Sequence, residues 1–463
     1  MAKELQIRNS STSIRSIPLR SAWTVLGVGI LLLLAVTTAR SQEEKAPKPP
    51  TYTVLYTFTG GADGAGPFTE DLILDRAGNL YGTTIWGGDL SSADCGGSGC
   101  GVVFKLDPAG KETVLYTFTG GADGVQPFSV IRDEKGNLYG TAVGGPDGWG
   151  EVFKLDRAGS ETLLYAFTGA PDGGGSQGVI RGSDGSLYGT TSQGGVNETG
   201  CYGAGCGTVF KLDWSGKETV LYSFTGGADG GLPEPSLVQD EEGNLYGVTA
   251  SGGTPGNVGG TSGNGVVFKL APDGKETVLY SFTGGADGAL PRALIRDWDG
   301  TLYGVTAVGG DESSSTPRGS GVVFKLDRSG KFTALYSFTG GMDGANPVGT
   351  PLLVGKDLYG TTANGGNSAA ACGGPCGVVF KVDATGKETV LHSFTGPDGE
   401  NPYGGLIADA QGNLIGTATY GGDLANQAAP CYGYGCGVVF KLTLHEDCKG
   451  SEKGSEVLPT RID

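Results

Sequence analysis

Histidine is nearly missing from this chain: His392 and His445 are the two in 463 residues. A Ser-His-Asp or Cys-His machine therefore has almost no base to draw on. Structural zinc, which wants four N or S ligands, is disfavoured on the same ground. Positive charge is scarce too. Lys and Arg number 32 against 49 Asp and Glu, a net charge of −17. That sign opposes binding to nucleic acid or anionic lipid. The plain reading of the acidity is solubility. Beyond the N-terminal segment, no stretch has helical apolar periodicity. The nine cysteines are few, but orderly in placement.

What fills the chain instead is one unit of about 57 residues, seven times over. It reads G-V-V-F-K-L-D-x-x-G-K-E-T-V-L-Y-S-F-T-G-G-A-D-G-x-x-P, an apolar run, then D-x-x-G-N-L-Y-G-T-T-x-x-G-G. Each unit carries four short runs rich in β-branched and aromatic residues, bounded by Gly, Asp, Asn and Pro. In the second unit these are Pro127–Arg132, Asn137–Thr141, Gly150–Leu155 and Thr162–Phe167. Four antiparallel strands repeated seven times predict an all-β fold, a seven-bladed β-propeller. With strands named A to D from the axis outward, the chain opens on a D strand, Tyr52–Phe58. It closes on A, B and C, over Pro402–Leu442. The N-terminal outer strand is thus expected to complete the last blade and remove the free edges.

Residues 1–41 read as an export signal or N-terminal anchor. Lys3, Arg8, Arg15 and Arg20 precede an apolar core, Ala22–Val36, and Ala39-Arg40-Ser41 supplies small residues before a cut. Removing the five basic residues and one acidic residue of this segment moves the charge from −17 to −21. A linker over 42–50, the propeller over 51–442 and a polar tail over 443–463 follow. The cysteines suit an oxidising compartment. Cys95 with Cys100, Cys201 with Cys206, Cys372 with Cys376, and Cys431 with Cys436 each sit in one B–C loop. Cys448 is left over.

Propeller geometry places the A–B and C–D turns on one face and the B–C and D–A connections on the other. The first face is monotonous; the second varies, and function on a repeat scaffold is sought where the frame varies. Trp86 and Tyr420 replace small or polar residues of other blades. Trp149 lies in a short B–C loop, and Tyr432 and Tyr434 lie in a disulfide loop. Such aromatics stack on sugars or anchor partners; the rival reading, that they cover loop backbone, carries more weight. Asp63, Asp123, Asp172, Asp229, Asp287, Asp343 and Asp398 recur in the D–A connections. They are weak calcium candidates, because an Asx turn explains one Asp-Gly per blade. Glu198 and Asp89 are non-repeat acids that nothing pairs.

G-V-V-F-K-L-D…G-K-E-T-V-L-Y-S-F-T-G-G with G-N-L-Y-G-T-T…G-G resembles the GloVer repeat, named for its abundance in Gloeobacter and Verrucomicrobia. The resemblance covers about 51–442. It implies a bacterial extracytoplasmic protein, and transfers no catalytic residue. The expectation is an exported, non-catalytic binding propeller for a glycan or cell-surface partner, with no cofactor and no nucleic acid. No membrane contact is expected beyond the N-terminal segment, and oligomeric state is left open. The alternatives are a polysaccharide hydrolase or lyase using loop carboxylates, and a purely structural surface protein.

Overall fold

The structure, a computed structural model, describes residues 48–68, 72–196, 201–253, 263–310, 318–369, 374–426 and 430–445. The expected leader, Glu198, Cys372 and Cys448 lie outside the described residues. The fold is a β-propeller of seven antiparallel blades. The first blade takes strand A from Ile73–Leu74, B from Leu80–Thr84, C from Val102–Leu106 and D from Glu112–Thr117. Strand A is interrupted in two blades. It is Gly231–Pro233 then Val238–Gln239 in the fourth, and Ala345–Pro347 then Leu352–Val354 in the sixth. The ring closes as expected. Thr51–Thr57 pairs antiparallel with strand C of the seventh blade, Thr51 opposite Thr443 and Thr57 opposite Val438.

The repeated phenylalanines explain why the units stack. The F-T-G phenylalanine of one blade meets the V-F-K phenylalanine of the next, edge to face. Phe118 and Phe153 stand 5.2 Å apart at 69°, and Phe394 and Phe440 5.3 Å apart at 68°. All seven interfaces carry this contact, including Phe58–Phe104 across the closure. Each such pair contributes about 0.5–1.5 kcal/mol beyond its buried area. The glycine of L-Y-G-T makes room for the ring. A methyl group on Gly189 would lie 2.5 Å from the edge of Phe210.

Tyrosines of strand B pack between blades, as Tyr81 does in one cluster with Val130 and Leu138. Five of the A–B turns open on an Asp, as an Asx turn does: Asp75 Oδ1 accepts from the N–H groups of Ala77 and Asn79. Two B–C loops contain a 3-10 turn, Ala93–Cys95 and Cys201–Gly203, and one contains a small hairpin, Ser368–Ala369 with Gly374–Pro375. Among the described residues no helix is long and apolar enough to cross a membrane.

Candidate functional site

Each Asp of the D–A connections is engaged within its own blade. Asp123 Oδ2 accepts from Tyr116 Oη at 3.0 Å and from the Thr119 N–H at 2.9 Å, while Oδ1 accepts from the Thr119 hydroxyl at 2.7 Å. In blade six His392 replaces the tyrosine and meets Asp398 Oδ2 at 2.9 Å. Among the described residues no three His, Cys, Asp or Glu side chains are grouped as a metal site requires.

The disulfides Cys95–Cys100, Cys201–Cys206 and Cys431–Cys436 are formed, with Cα atoms 5.3, 5.1 and 5.0 Å apart. Cys376 is disulfide-bonded as well. Each of those three bridges lies over a glycine of the following D–A connection. A methyl on Gly226 would sit 2.7 and 2.8 Å from the Cys206 and Cys201 sulfurs. Trp149 occupies the corresponding place in blade two, which has no disulfide. Its indole would meet a methyl on Gly169 at 2.5 Å. It thus covers loop backbone, away from the other four aromatics.

Those four group at the junction of blades seven and one. The Trp86 and Tyr420 rings lie 6.1 Å apart, inclined at 36°. Tyr432 and Tyr434 are exposed, and the Tyr434 carbonyl accepts from the Gly421 N–H at 2.8 Å, next to Tyr420. Burial, then Tyr403 and Glu400 nearby, push the Tyr420 phenol up.

Tyr403 leads to a place that the repeat reading passes over. Every blade opens strand A with the same local element: a residue in the left-handed region, then Pro or Ser, then a variable residue. The left-handed residues are Gly66, Gln126, Gly175, Leu232, Leu290, Asn346 and Asn401, at φ from 50° to 65°. Each donates its N–H to the carbonyl of the residue that precedes the strand C glycine in the preceding blade. Gln126 to Cys100 (2.8 Å) and Leu290 to Asn264 (3.0 Å) are examples. The ladder register shifts across the variable residue, between Pro291 and Ala293 in blade five. Such a bulge re-aims a side chain.

The variable residues converge on the axis. Phe68 meets Tyr403 at 5.2 Å and Phe128 at 6.3 Å, an aromatic side. Gln177, Glu234 and Arg292 form a polar side, where Arg292 Nη1 donates to Glu234 Oε1 at 2.8 Å. Between them lies a cavity of about 230 Å³, lined also by Val348, Gly349 and Thr350. Its lining comes from the strand A segments of six blades, so it lies in the central channel. Burial pushes the Glu234 carboxyl up, and Arg292 pulls it back.

Variation is therefore not confined to the B–C loops, as the sequence suggested; strand A also carries it. The signal was present. The residue after the strand A Pro reads Phe, Phe, Glu, Arg, Val, Tyr in six blades, and Gln after Ser in the third. Glu234 and Arg292 stand one repeat apart, an ion pair between adjacent blades.

A model of the Gloeobacter/Verrucomicrobia repeat matches residues 90–316 and, overlapping, 256–449. Among curated proteins none matches. One similar solved structure is the extracellular domain of a hybrid two-component system of B. thetaiotaomicron. It is 13% identical with a TM-score of 0.51, over 89% of this chain and 44% of that one. A gluconolactonase of Xanthomonas campestris is 15% identical with a TM-score of 0.37, over 67% and 83%. The PQQ-bound aldose sugar dehydrogenase of Streptomyces coelicolor is 14% identical with a TM-score of 0.41, over 69% and 94%. At 13% identity, the likeness to the B. thetaiotaomicron domain speaks for the propeller fold alone.

Proposed function

The chain belongs to the Gloeobacter/Verrucomicrobia repeat family, and we propose that it is an exported, non-catalytic binding propeller that holds a glycan. The site is the B–C and D–A loop face at blades seven and one. The observation that carries this reading is the Trp86–Tyr420 pair, 6.1 Å apart, with the exposed Tyr432 and Tyr434 on a loop whose backbone bonds to Gly421, next to Tyr420. Paired aromatic rings on a rim offer flat apolar faces, and Tyr adds a polar tip. Export is supported by the disulfides in the B–C loops, which persist in oxidising compartments.

A glycan array probed with the wild-type domain and with Trp86→Ala/Tyr420→Ala tests the site. Capture by wild type and at least tenfold weaker capture by the variant are expected. Equal capture by both would remove the glycan from this face. The rival reading, a polysaccharide hydrolase or lyase, draws on Glu234, a non-repeat acid in the channel. Hydrolysis by paired carboxylates needs two acids flanking one bond. Glu234 faces an arginine instead. Incubating the captured glycans with the domain and assaying new reducing or unsaturated ends separates the two readings; none are expected.

A further inference from the structure

We propose that the channel cavity is a separate subsite that takes one neutral sugar ring, the end of a glycan chain. The inference rests on the glycan reading above and adds where the chain terminates.

Size comes first. A cavity of about 230 Å³ falls below the ~300–1,000 Å³ of pockets that enclose drug-sized ligands. It suits one ring, not a chain segment. Its walls differ in chemistry. Phe68 and Tyr403 give an aromatic wall for the C–H face of a pyranose. Opposite stand an amide, a hydroxyl and an ion pair, from Gln177, Thr350, Glu234 and Arg292. Among the described residues the Gln177 and Thr350 side chains form no hydrogen bond. The Arg292 side chain remains 39% exposed while paired, so its planar fork keeps donors for a ligand. Donors and acceptors side by side match hydroxyl groups, each of which is both.

Charge decides against an ionic ligand. Glu234 and Arg292 neutralise each other across the blade interface at 2.8 Å. An anion or cation would compete with one partner and leave the other desolvated and unpaired, the costly outcome for such a pair. A polyol makes its bonds around the pair and leaves it whole. Continuity supplies the direction. Tyr403 lies near Tyr420, which in turn faces Trp86. A chain whose last ring enters the channel would lay its next rings over that rim.

The backbone holds these groups rigidly, which lowers the ordering cost of binding. The Glu234 N–H donates to the Val248 carbonyl at 3.0 Å, and its own carbonyl accepts from Thr190 Oγ1 of the preceding blade at 3.0 Å.

The test uses the whole propeller domain and hexasaccharides of glucose, mannose, xylose and N-acetylglucosamine, coupled through their reducing ends. The matching monosaccharides serve as soluble competitors. Displacement of the captured domain by the matching monosaccharide is expected. Gln177→Ala and Arg292→Met should each weaken monosaccharide binding at least tenfold. Gln177→Ala covers the case in which Arg292→Met fails to fold. Trp86→Ala/Tyr420→Ala should weaken hexasaccharide capture and leave the monosaccharide affinity unchanged. Capture that no monosaccharide displaces, and that Gln177→Ala leaves intact, overturns the chain-end subsite while the loop-face reading survives. Monosaccharide binding with hexasaccharide capture indifferent to Trp86 and Tyr420 supports the channel and sinks the rim. Binding of neither probe overturns both.

Discussion

Glu151 stands where the other blades place Val, or Thr at Thr208, at the start of strand C. Its side chain is wholly buried, and among the described residues neither carboxylate oxygen has a hydrogen-bond partner. Burial, then the nearby Glu161 and Asp123, push its carboxyl up to about 8. Folding at neutral pH therefore requires the group to take up a proton. Below the ordinary glutamate range the group is protonated in both states and nothing is lost. Between there and about pH 8 stability falls as pH rises, and above that the loss is complete. Glu151→Val should stabilise the domain by about 1–3 kcal/mol at pH 8, the scale of a buried polar group left unpaired. At pH 4.5 the gain should shrink. Thermal melts at the two pH values check this; an equal gain at both would mean that the carboxyl is not the cause. Single-residue departures of this kind were legible, because a fixed period displays them. Their direction was not. Nothing in the sequence says that Glu151 lies beneath the loops, against Gly124 and Gly145, while Glu234 lines the channel. The bulge that aims Arg292 leaves no compositional mark, since Leu290 precedes Pro291 there without a glycine or asparagine.

At the scale of the element, that left-handed step is the device that turns a repeat into a site. It holds its N–H on the preceding blade, while the variable residue two positions on enters the channel. Left-handed backbone costs an L-residue about 1–2 kcal/mol, and Asn less because its side chain bonds locally. Blades six and seven use Asn in this way. Asn346 Nδ2 donates to the Ala307 carbonyl at 2.8 Å, and Asn401 Nδ2 to the Ala363 carbonyl at 2.6 Å. Leu290→Asn should therefore be neutral or stabilising by up to about 1 kcal/mol. Leu290→Ile, branched at Cβ and thus a worse fit for positive φ, should cost about 1–2 kcal/mol. Urea unfolding of both variants measures the difference. Similar midpoints would mean that φ at Leu290 is not under strain. The strands themselves were readable from alternation and turn residues. Strand A was read least well, continuous over Pro127–Arg132 in expectation but regular only over Val130–Arg132, with a single bond from the Phe128 N–H to the Thr141 carbonyl before it. Its first residues are given to the step that faces the channel.

For the whole molecule, the closure is what the sequence disclosed most directly, because the first strand has the sequence of an outer one and the seventh unit has none of its own. The structure adds that the borrowed strand fits its own slot. Tyr52 takes the position that most D strands give to glutamate, as at Glu112. Its ring stacks on His392 of blade six at 3.9 Å and on Phe440 at 5.5 Å. Its hydroxyl donates to the Asp398 carbonyl at 2.5 Å. Tyr56 reaches Asp63, and Phe58 meets Phe104 across the seam. A chain starting at Thr59 should therefore lose more than a strand ladder. It uncovers the Val438–Thr443 edge and empties aromatic positions at both neighbouring interfaces. Burying such side chains contributes about 1.5–3 kcal/mol each, so a loss of at least about 5 kcal/mol is expected. The free edge should promote self-association. A chain starting at Lys48 is the control and should melt like wild type. Melting with sedimentation velocity reads both effects. If the Thr59 chain stays monomeric with an unchanged Tm, the N-terminal strand does not hold the ring. If it is destabilised but still binds sugars in the channel, the strands that blade seven keeps suffice to place Tyr403 in the wall, and the N-terminal strand serves to lock the ring.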